Sequence, residues 1–259
     1  MAYQTITATN ADIQCGIQIQ CVATAEAVAD VDAVVLKKRF ADTGAWKIID
    51  TITILSVADY NFEYLDADTR SGCTYEYAAI PVKDGTELVG VIAACKCSFG
   101  GVFIGDSTGT FVSLYNNEYS MQKNTQVAYV STLSGRYPRR VSNASTNYMS
   151  GSVTGLFLPY NEKGYPVKSK AREYKDMVLE MLCNGKPKLL KTYDGNMWIV
   201  SINESPKEDF SLFDGASTIT FEWTEIGKMD SSVTDNTYLP ESVDTPPKTL
   251  TNGGLVVTA

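Results

Sequence analysis

The sequence of 259 residues contains no histidine. Histidine is the commonest general base and the commonest metal ligand, so its absence excludes Ser-His-Asp and Cys-His catalytic sets. The sequence also lacks a Walker loop, a G-x-G-x-x-G loop and any C-x-x-C pair. A zinc site would need cysteines and carboxylates alone, and their spacing does not suggest one. We therefore expect no catalytic residue, no cofactor and no metal, and so a protein that is not an enzyme.

Long apolar runs are missing as well. No segment approaches the roughly 18 apolar residues of a membrane span, and the N-terminus lacks the basic start and apolar stretch of a secretion signal. We expect neither a span nor a leader. We also expect the six cysteines to be buried free thiols of a protein made in reducing cytosol. The net charge of −8 argues against a surface dominated by nucleic-acid binding.

The residues that are present predict a β-rich first region, from residue 1 to 99. Short segments with alternating apolar residues are separated by turns, one of them at Asp84-Gly85. One such alternation consists of Ile13, Cys15, Ile17 and Ile19. About seven short strands at this spacing favour a β-sandwich. Because adjacent glycines give the backbone freedom, Gly100-Gly101 indicates a boundary with a hinge.

The second region, residues 100–228, is predicted to contain further strands and one helix, over about residues 169–184. Ser169 is placed to cap the helix, and Gly185 suits a left-handed C-terminal cap. Five apolar residues fall on one helical face: Ala171, Tyr174, Val178, Met181 and Leu182. After residue 228 the composition turns to Ser, Thr, Asp and Pro, which predicts an extended arm over residues 229–259.

A small basic cluster stands out against the acidic composition. Arg136, Arg139 and Arg140 flank Tyr137. Nucleic-acid binding, an ion-pair patch between subunits and a solvated loop are all compatible with it, and we favour the inter-subunit patch. Trp198 and Trp223 complete the candidate interface residues, because large aromatic side chains are enriched at interfaces.

Paired carboxylates can indicate acid–base chemistry. Asp66 and Asp68 lie close together in a polar turn, a context that favours a solvated loop over a catalytic pair. Glu222 precedes Trp223 in a strand-like segment, where neighbours point to opposite faces, so we expect Glu222 at the surface.

The first region resembles a fibronectin type III-like module. The resemblance lies in Trp46 after the strand-like Val34–Arg39, in Tyr64-Leu-Asp66, and in the run Gly72–Val82 before the Asp-Gly turn. The run Gly72–Val82 includes Tyr75 and Tyr77, which occupy the place of the tyrosine that closes the corner of such sandwiches.

The second region resembles the distal tail proteins of long-tailed phages of Gram-positive bacteria. The similar segments, in chain order, are Gly135-Arg-Tyr-Pro138, Asn147-Tyr148, Ser152–Phe157, the predicted helix with Asn184–Lys191 after it, Gly195–Trp198 and Phe221–Gly227. The resemblance implies a mainly β chain in which the sandwich precedes a split-barrel-like β domain with one helix. It differs from the usual family arrangement because the sandwich comes first.

The same resemblance implies a role in the virion. Such proteins form a ring, typically hexameric, between the tail tube protein and the tail tip or hub protein, and DNA passes through the lumen without specific binding. The sandwich often has a carbohydrate-binding role. One alternative is therefore an adhesin for a host cell-surface glycan, with Tyr60 and Tyr64 as candidate contacts. A glycoside hydrolase with a carboxylate pair is the least favoured alternative.

Overall fold

The computed structural model describes residues 3–27, 30–41, 45–131, 136–161, 163–213 and 216–227. Most of the described residues lie in strands, so the predicted mainly β class is confirmed. The predicted arm, residues 229–259, lies outside the described residues. Eight strands form the first region: β1 (Gln4–Ala11), β2 (Gly16–Ala23), β3 (Ala33–Phe40), β4 (Lys47–Thr53), β5 (Phe62–Asp66), β6 (Thr74–Lys83), β7 (Thr86–Glu87) and β8 (Val91–Lys96).

These strands form two antiparallel sheets that enclose a common core. One sheet has the order β1-β2-β5, and the other has the order β4-β3-β6, with β7 and β8 both paired to β6. Alternate residues of β2, namely Ile17, Ile19 and Cys21, are buried against Val34 and Leu36 from the opposite sheet. The predicted start of the β2 alternation was wrong: residues 12–15 form a turn, in which Cys15 has a φ of 51°.

Two tyrosines of β6 bind the segment that precedes the strand. The Tyr75 hydroxyl accepts a hydrogen bond from the Arg70 backbone N–H at 2.9 Å, as a corner tyrosine does. The Tyr77 hydroxyl donates to Asp66 at 2.8 Å. Of the two tyrosines, Tyr75 thus has the bond to backbone that the resemblance implied.

The second region is one sheet of eight strands. Its order is β10-β9-β13-β14-β16-β12-β11, with β15 also paired to β16, and among the described strands this path does not close into a barrel. The strands are β9 (Val102–Asp106), β10 (Gly109–Ser113), β11 (Tyr115–Val130), β12 (Arg139–Leu156), β13 (Lys188–Thr192), β14 (Met197–Ile202), β15 (Lys207–Phe213) and β16 (Ala216–Gly227).

The helix α1 (Ala171–Cys183) covers one face of this sheet. All five residues of its predicted apolar face are buried, and Gly185 has the expected positive φ, of 73°. The predicted cap was wrong. Ser169 lies within a 3-10 turn at Lys168–Lys170, so Lys170 takes the N-cap position without a side-chain hydrogen bond.

The two regions meet at a packed joint. Phe99, Phe103 and Leu189 are buried in the same core as the sandwich residues. Asn10 binds both backbone groups of Ser98, as acceptor from its N–H at 2.7 Å and as donor to its C=O at 2.6 Å. Phe99 and Phe103 thus lie in one core on either side of Gly100-Gly101, and the hinge at these glycines stays a prediction.

A buried lysine from the second sheet reaches into this joint. Lys191 is 0% exposed, and its ammonium donates to the backbone oxygens of Ala67, at 2.6 Å, and Cys15. The nitrogen also lies 5.1 Å and 5.0 Å from the ring centres of Phe99 and Phe103. Burial lowers the pKa of Lys191. Two carbonyls of the sandwich therefore hold a cation that β13 supplies, and this ties the regions together.

Candidate assembly surface

The long hairpin of β11 and β12 extends beyond the rest of the sheet. β12 pairs with β16 only from Ser150 to Leu156. The pairing of β11 with β12 continues without β16 from Lys123↔Met149 to Val130↔Arg139. At about 3.3 Å per residue, this two-stranded ribbon is about 23 Å long. We call residues 123–131 and 136–149 the distal ribbon.

The root of the hairpin is held firmly. The Tyr119 hydroxyl donates to Asp194 at 2.6 Å, and the hydroxyls of Ser120 and Ser152 are 2.9 Å apart. Gly151 allows the strands to approach closely, because a Cβ there would lie 1.9 Å from the Ser120 carbonyl oxygen. The distal ribbon therefore projects from a fixed base.

An irregularity interrupts the pairing within the distal ribbon. Thr125 pairs with Asn147, and the next residue, Gln126, pairs with Asn143. The additional residues lie on β12 and form a bulge, a feature that bends a strand and increases its twist. The bulge sets the direction of the last five residue pairs relative to the root.

The predicted basic cluster lies at the end of the distal ribbon. Arg136, Tyr137, Arg139 and Arg140 are all exposed, and the Arg136 guanidinium is 5.7 Å from the Tyr137 ring centre. These four residues thus lie at the far end of the described part of the hairpin. Their role in an interface stays a prediction.

Sequence reasoning missed the apolar residues beside this cluster. Tyr129, Val130 and Val141 are 68%, 50% and 55% exposed, and Tyr137 is 73% exposed. Their spacing is that of an ordinary strand, and alternation alone does not show that both faces of a strand lie in solvent. Together with the three arginines, these residues form the candidate assembly surface.

The two tryptophans lie elsewhere, and their prediction as interface residues needs correction. Trp198 and Trp223 are 7% and 1% exposed, and their ring centres are 4.9 Å apart. They pack in the core under α1, because β14 and β16 are neighbours and both indoles face the helix side. A side chain buried within its own chain is not available to a partner. Glu222 is exposed, as alternation predicted.

The tyrosines proposed for glycan contact are not exposed either. Tyr60 is 0% exposed, and Tyr64 is partly buried. Burial raises the pKa of Tyr64 well above its usual value. Both tyrosines pack with the sandwich core, since the short turn before β5 folds Tyr60 inward. These two residues therefore do not form an accessible sugar-stacking surface.

The interpretation of the acidic pair as a solvated loop was wrong. Asp66 is 2% exposed and binds the Lys38 ammonium at 3.0 Å. Asp68 binds the same nitrogen at 3.0 Å. The sequence contains no nearby lysine to indicate this, because Lys38 is 28 residues away.

In the described part of the chain, no group of three or more Cys, Asp and Glu residues is arranged to hold a metal ion. No helix in the described ranges is long and apolar enough to span a membrane. The cysteines of the described ranges are free thiols, of which Cys15, Cys21 and Cys97 are buried and Cys183 is exposed.

The sequence matches no model of a known protein family and no curated protein. Two solved structures show a limited likeness. A chain of the virion of a native gene transfer agent (GTA) particle has a TM-score of 0.28 and 14% identity, over 50% of this chain and 92% of that chain. The titin kinase with its flanking domains has a TM-score of 0.26 and 10% identity, over 89% of this chain and 39% of that chain. These TM-scores are too low to define a common fold.

Proposed function

We propose that the protein is a structural component of a virion, a phage tail tip or baseplate subunit that forms a ring with copies of itself. The observation that carries this proposal is the distal ribbon. An isolated two-stranded ribbon is at best marginally stable in water. Here it extends about 23 Å without a third strand among the described residues. A partner that packs against it would supply the missing support.

The surface of the distal ribbon suits such a partner. Exposed apolar side chains, Tyr129 and Val141 among them, lie beside arginines, and aromatic residues and arginine are enriched where proteins meet. The outer edge of β11 also ends the sheet, so its backbone groups can pair with a strand of another subunit.

The charge distribution supports a second copy of the chain as the partner of the ribbon. The whole chain carries −8, although the ribbon end contributes three arginines within five residues. The remainder of each copy is therefore strongly acidic. A basic ribbon end and an acidic body are complementary within one kind of subunit, and such a head-to-tail contact generates a closed ring when the rotation between subunits closes.

The resemblance to distal tail proteins supports the more specific parts of the proposal. In this account the ring is hexameric, joins the tail tube protein to the tail tip or hub protein, and is located in the virion tail after synthesis in the host cytoplasm. An acidic lumen would let DNA pass without specific binding. The protein has no catalytic role, and the sandwich is a fibronectin type III-like module.

The direct test is the particle mass of the purified full chain, alone and mixed with its tail tube protein. We expect a discrete oligomer, seen as rings by electron microscopy, that binds the tube protein. A protein that remains monomeric at all concentrations, with no affinity for tube or hub protein, would contradict the proposal.

A second candidate function, glycan binding, has one observation in its favour. A groove of about 690 Å³ lies along the sandwich side between β4 and β5. Its lining includes polar side chains that can bind sugar hydroxyls: Gln18, Gln20, Asp50, Asn61 and Glu63. Screening the full chain against host cell-wall glycans tests this function, and Gln20→Ala should weaken any binding that uses the groove.

A further inference from the structure

Two oppositely charged side chains meet inside the sandwich. Lys38 extends from β3, and Asp66 ends β5 in the opposite sheet. The Lys38 Nζ is 3.0 Å from one carboxylate oxygen of Asp66 and 3.1 Å from the other. The two side chains are 10% and 3% exposed. This contact therefore joins the two sheets within the protein interior.

A second carboxylate and two neutral donors surround the pair. The Asp68 carboxylate lies 3.0 Å from the same Nζ. The Asp68 backbone N–H donates to Asp66 Oδ1 at 3.0 Å, and the Tyr77 hydroxyl donates to Oδ2 at 2.8 Å. Each oxygen of Asp66 thus accepts a hydrogen bond from a neutral donor as well as from the ammonium.

We propose that Lys38 and Asp66 condense into an isopeptide bond, an amide between the lysine Nζ and the aspartate Cγ. The Nζ–Cγ bond forms and one Cγ–O bond breaks. The released oxygen leaves as water, and both of its protons come from the Lys38 ammonium. The step needs no oxidant, reductant or other co-reactant.

The surroundings supply what this condensation requires. Reacting groups held in contact avoid the entropic cost of meeting. Asp68 can accept a proton from Nζ, which frees the lone pair for attack, and can return it to the departing oxygen. Tyr77 and the Asp68 N–H stabilise the charge that develops on the Asp66 oxygens in the transition state.

The buried charges of Lys38 and Asp66 favour the neutral amide as the product, but their ion pair slows its formation. Burial lowers the pKa of Lys38, but the two carboxylates raise it by more, so the net pKa is above the usual value and the ion pair is the resting state. Attack proceeds from the minor state in which the proton has moved to a carboxylate. The product removes two charges from the interior, where charges are costly. We therefore expect condensation after folding, at a slow rate.

Two other ion pairs in the same chain are internal controls. Lys83 and Asp30 are 2.6 Å apart, but both are largely exposed. Lys188 and Asp106 are buried at 3.1 Å, and the other described contacts of the Lys188 ammonium are an amide and a backbone oxygen, so it lacks the second carboxylate that Lys38 has. Neither pair should condense.

The intact mass of the folded full chain after prolonged incubation is the test. We expect a mass lower than that of the sequence by one water, and a tryptic digest with one branched peptide that joins Lys38 to Asp66. The full mass, or a water deficit without a branched peptide, as a cyclic imide at an aspartate would give, would overturn the proposal.

Two variants test whether the isopeptide bond depends on Lys38 and Asp68. Lys38→Arg keeps the charge but should keep the full mass. Asp68→Asn keeps Lys38 and Asp66, and its rate of water loss should fall at least tenfold. Water loss at the wild-type rate in Asp68→Asn would overturn the role of that carboxylate. The wild-type mass decides the main question even if both variants fold poorly, and it does so independently of any ring assembly.

Discussion

The joint and the distal ribbon hold their cations in opposite ways. At the joint, Lys191 is fully buried, and backbone oxygens of the sandwich together with two aromatic rings satisfy it. At the ribbon end, Arg136, Arg139 and Arg140 lie in solvent beside exposed apolar residues. A cation whose contacts are complete within the chain stabilises the subunit. A cation that lacks contacts within its own chain is available to another subunit. The burial of the cations therefore distinguishes residues that stabilise the subunit from residues of the candidate interface.

The largest effect on stability should come from the joint. Lys191→Ala removes a buried stem and leaves the Cys15 and Ala67 carbonyls without their ammonium partner, which should cost about 2–5 kcal/mol. The free energy of unfolding in urea measures it. Lys186→Ala, at an exposed position just before β13, should change that free energy by less than about 0.5 kcal/mol. Equal losses of unfolding free energy in the two variants would contradict a stabilising role of Lys191 at the joint.

A smaller effect should appear at the root of the hairpin. Gly151→Ala places a methyl group against the Ser120 carbonyl and should cost about 1–3 kcal/mol as the strands move apart. Gly100→Ala is the matched control, because no atom lies within 4 Å of the added methyl. Urea unfolding measures the free energy of unfolding of both variants. A Gly151→Ala variant as stable as the wild type would show that β11 and β12 can move apart at the root without a loss of stability.

The buried thiols of the sandwich should make stability depend on alkaline pH. Burial raises the pKa of Cys21 from 9.0 to about 12. The unfolded chain loses this proton first, so the stability contributed by the neutral thiol is complete below pH 9 and is lost between about pH 9 and pH 12. One such group lowers the free energy of unfolding by at most about 1.4 kcal/mol for each pH unit in this range.

The variant Cys21→Ala tests the origin of that slope. It should lower the dependence of urea stability on pH in this range, because the titrating group is gone. Ile19→Val changes a buried, non-titrating side chain on the same strand and should leave the slope as it is. If both variants keep the wild-type slope, the loss of stability at alkaline pH comes from the titration of groups other than Cys21.

Periodic spacing of apolar residues and the position of Gly185 predicted features of single helices and strands correctly. The helical spacing gave the buried face of α1, and Gly185 has the left-handed conformation expected of it. Alternation placed Glu222 on the face opposite Trp223 and at the surface, where the structure has it. In these cases one periodicity determines which residues meet the core.

Features that depend on distant residues could not be predicted. The Asp66–Asp68 turn has the composition of a solvated loop, and only the pairing of β3 with β6 and β2 with β5 brings Lys38 to it. The exposure of Tyr129 follows from where β16 stops pairing with β12, which no local pattern records. The basic cluster was identified because three arginines are unusual in an acidic chain, but its place on a projecting ribbon needed the structure.

The most direct test of the account is the mass of the assembled particle when the ribbon end is reversed in charge. Arg136, Arg139 and Arg140 are replaced together by glutamate, and the control replaces three exposed lysines, Lys163, Lys186 and Lys207, in the same way. Light scattering should give the mass of a ring for the wild type and the control, and the mass of a monomer for the arginine variant. The circular dichroism spectrum of that monomer should still be that of a folded β protein. A ring of wild-type mass from the arginine variant would contradict the central claim that the ribbon end joins the subunits.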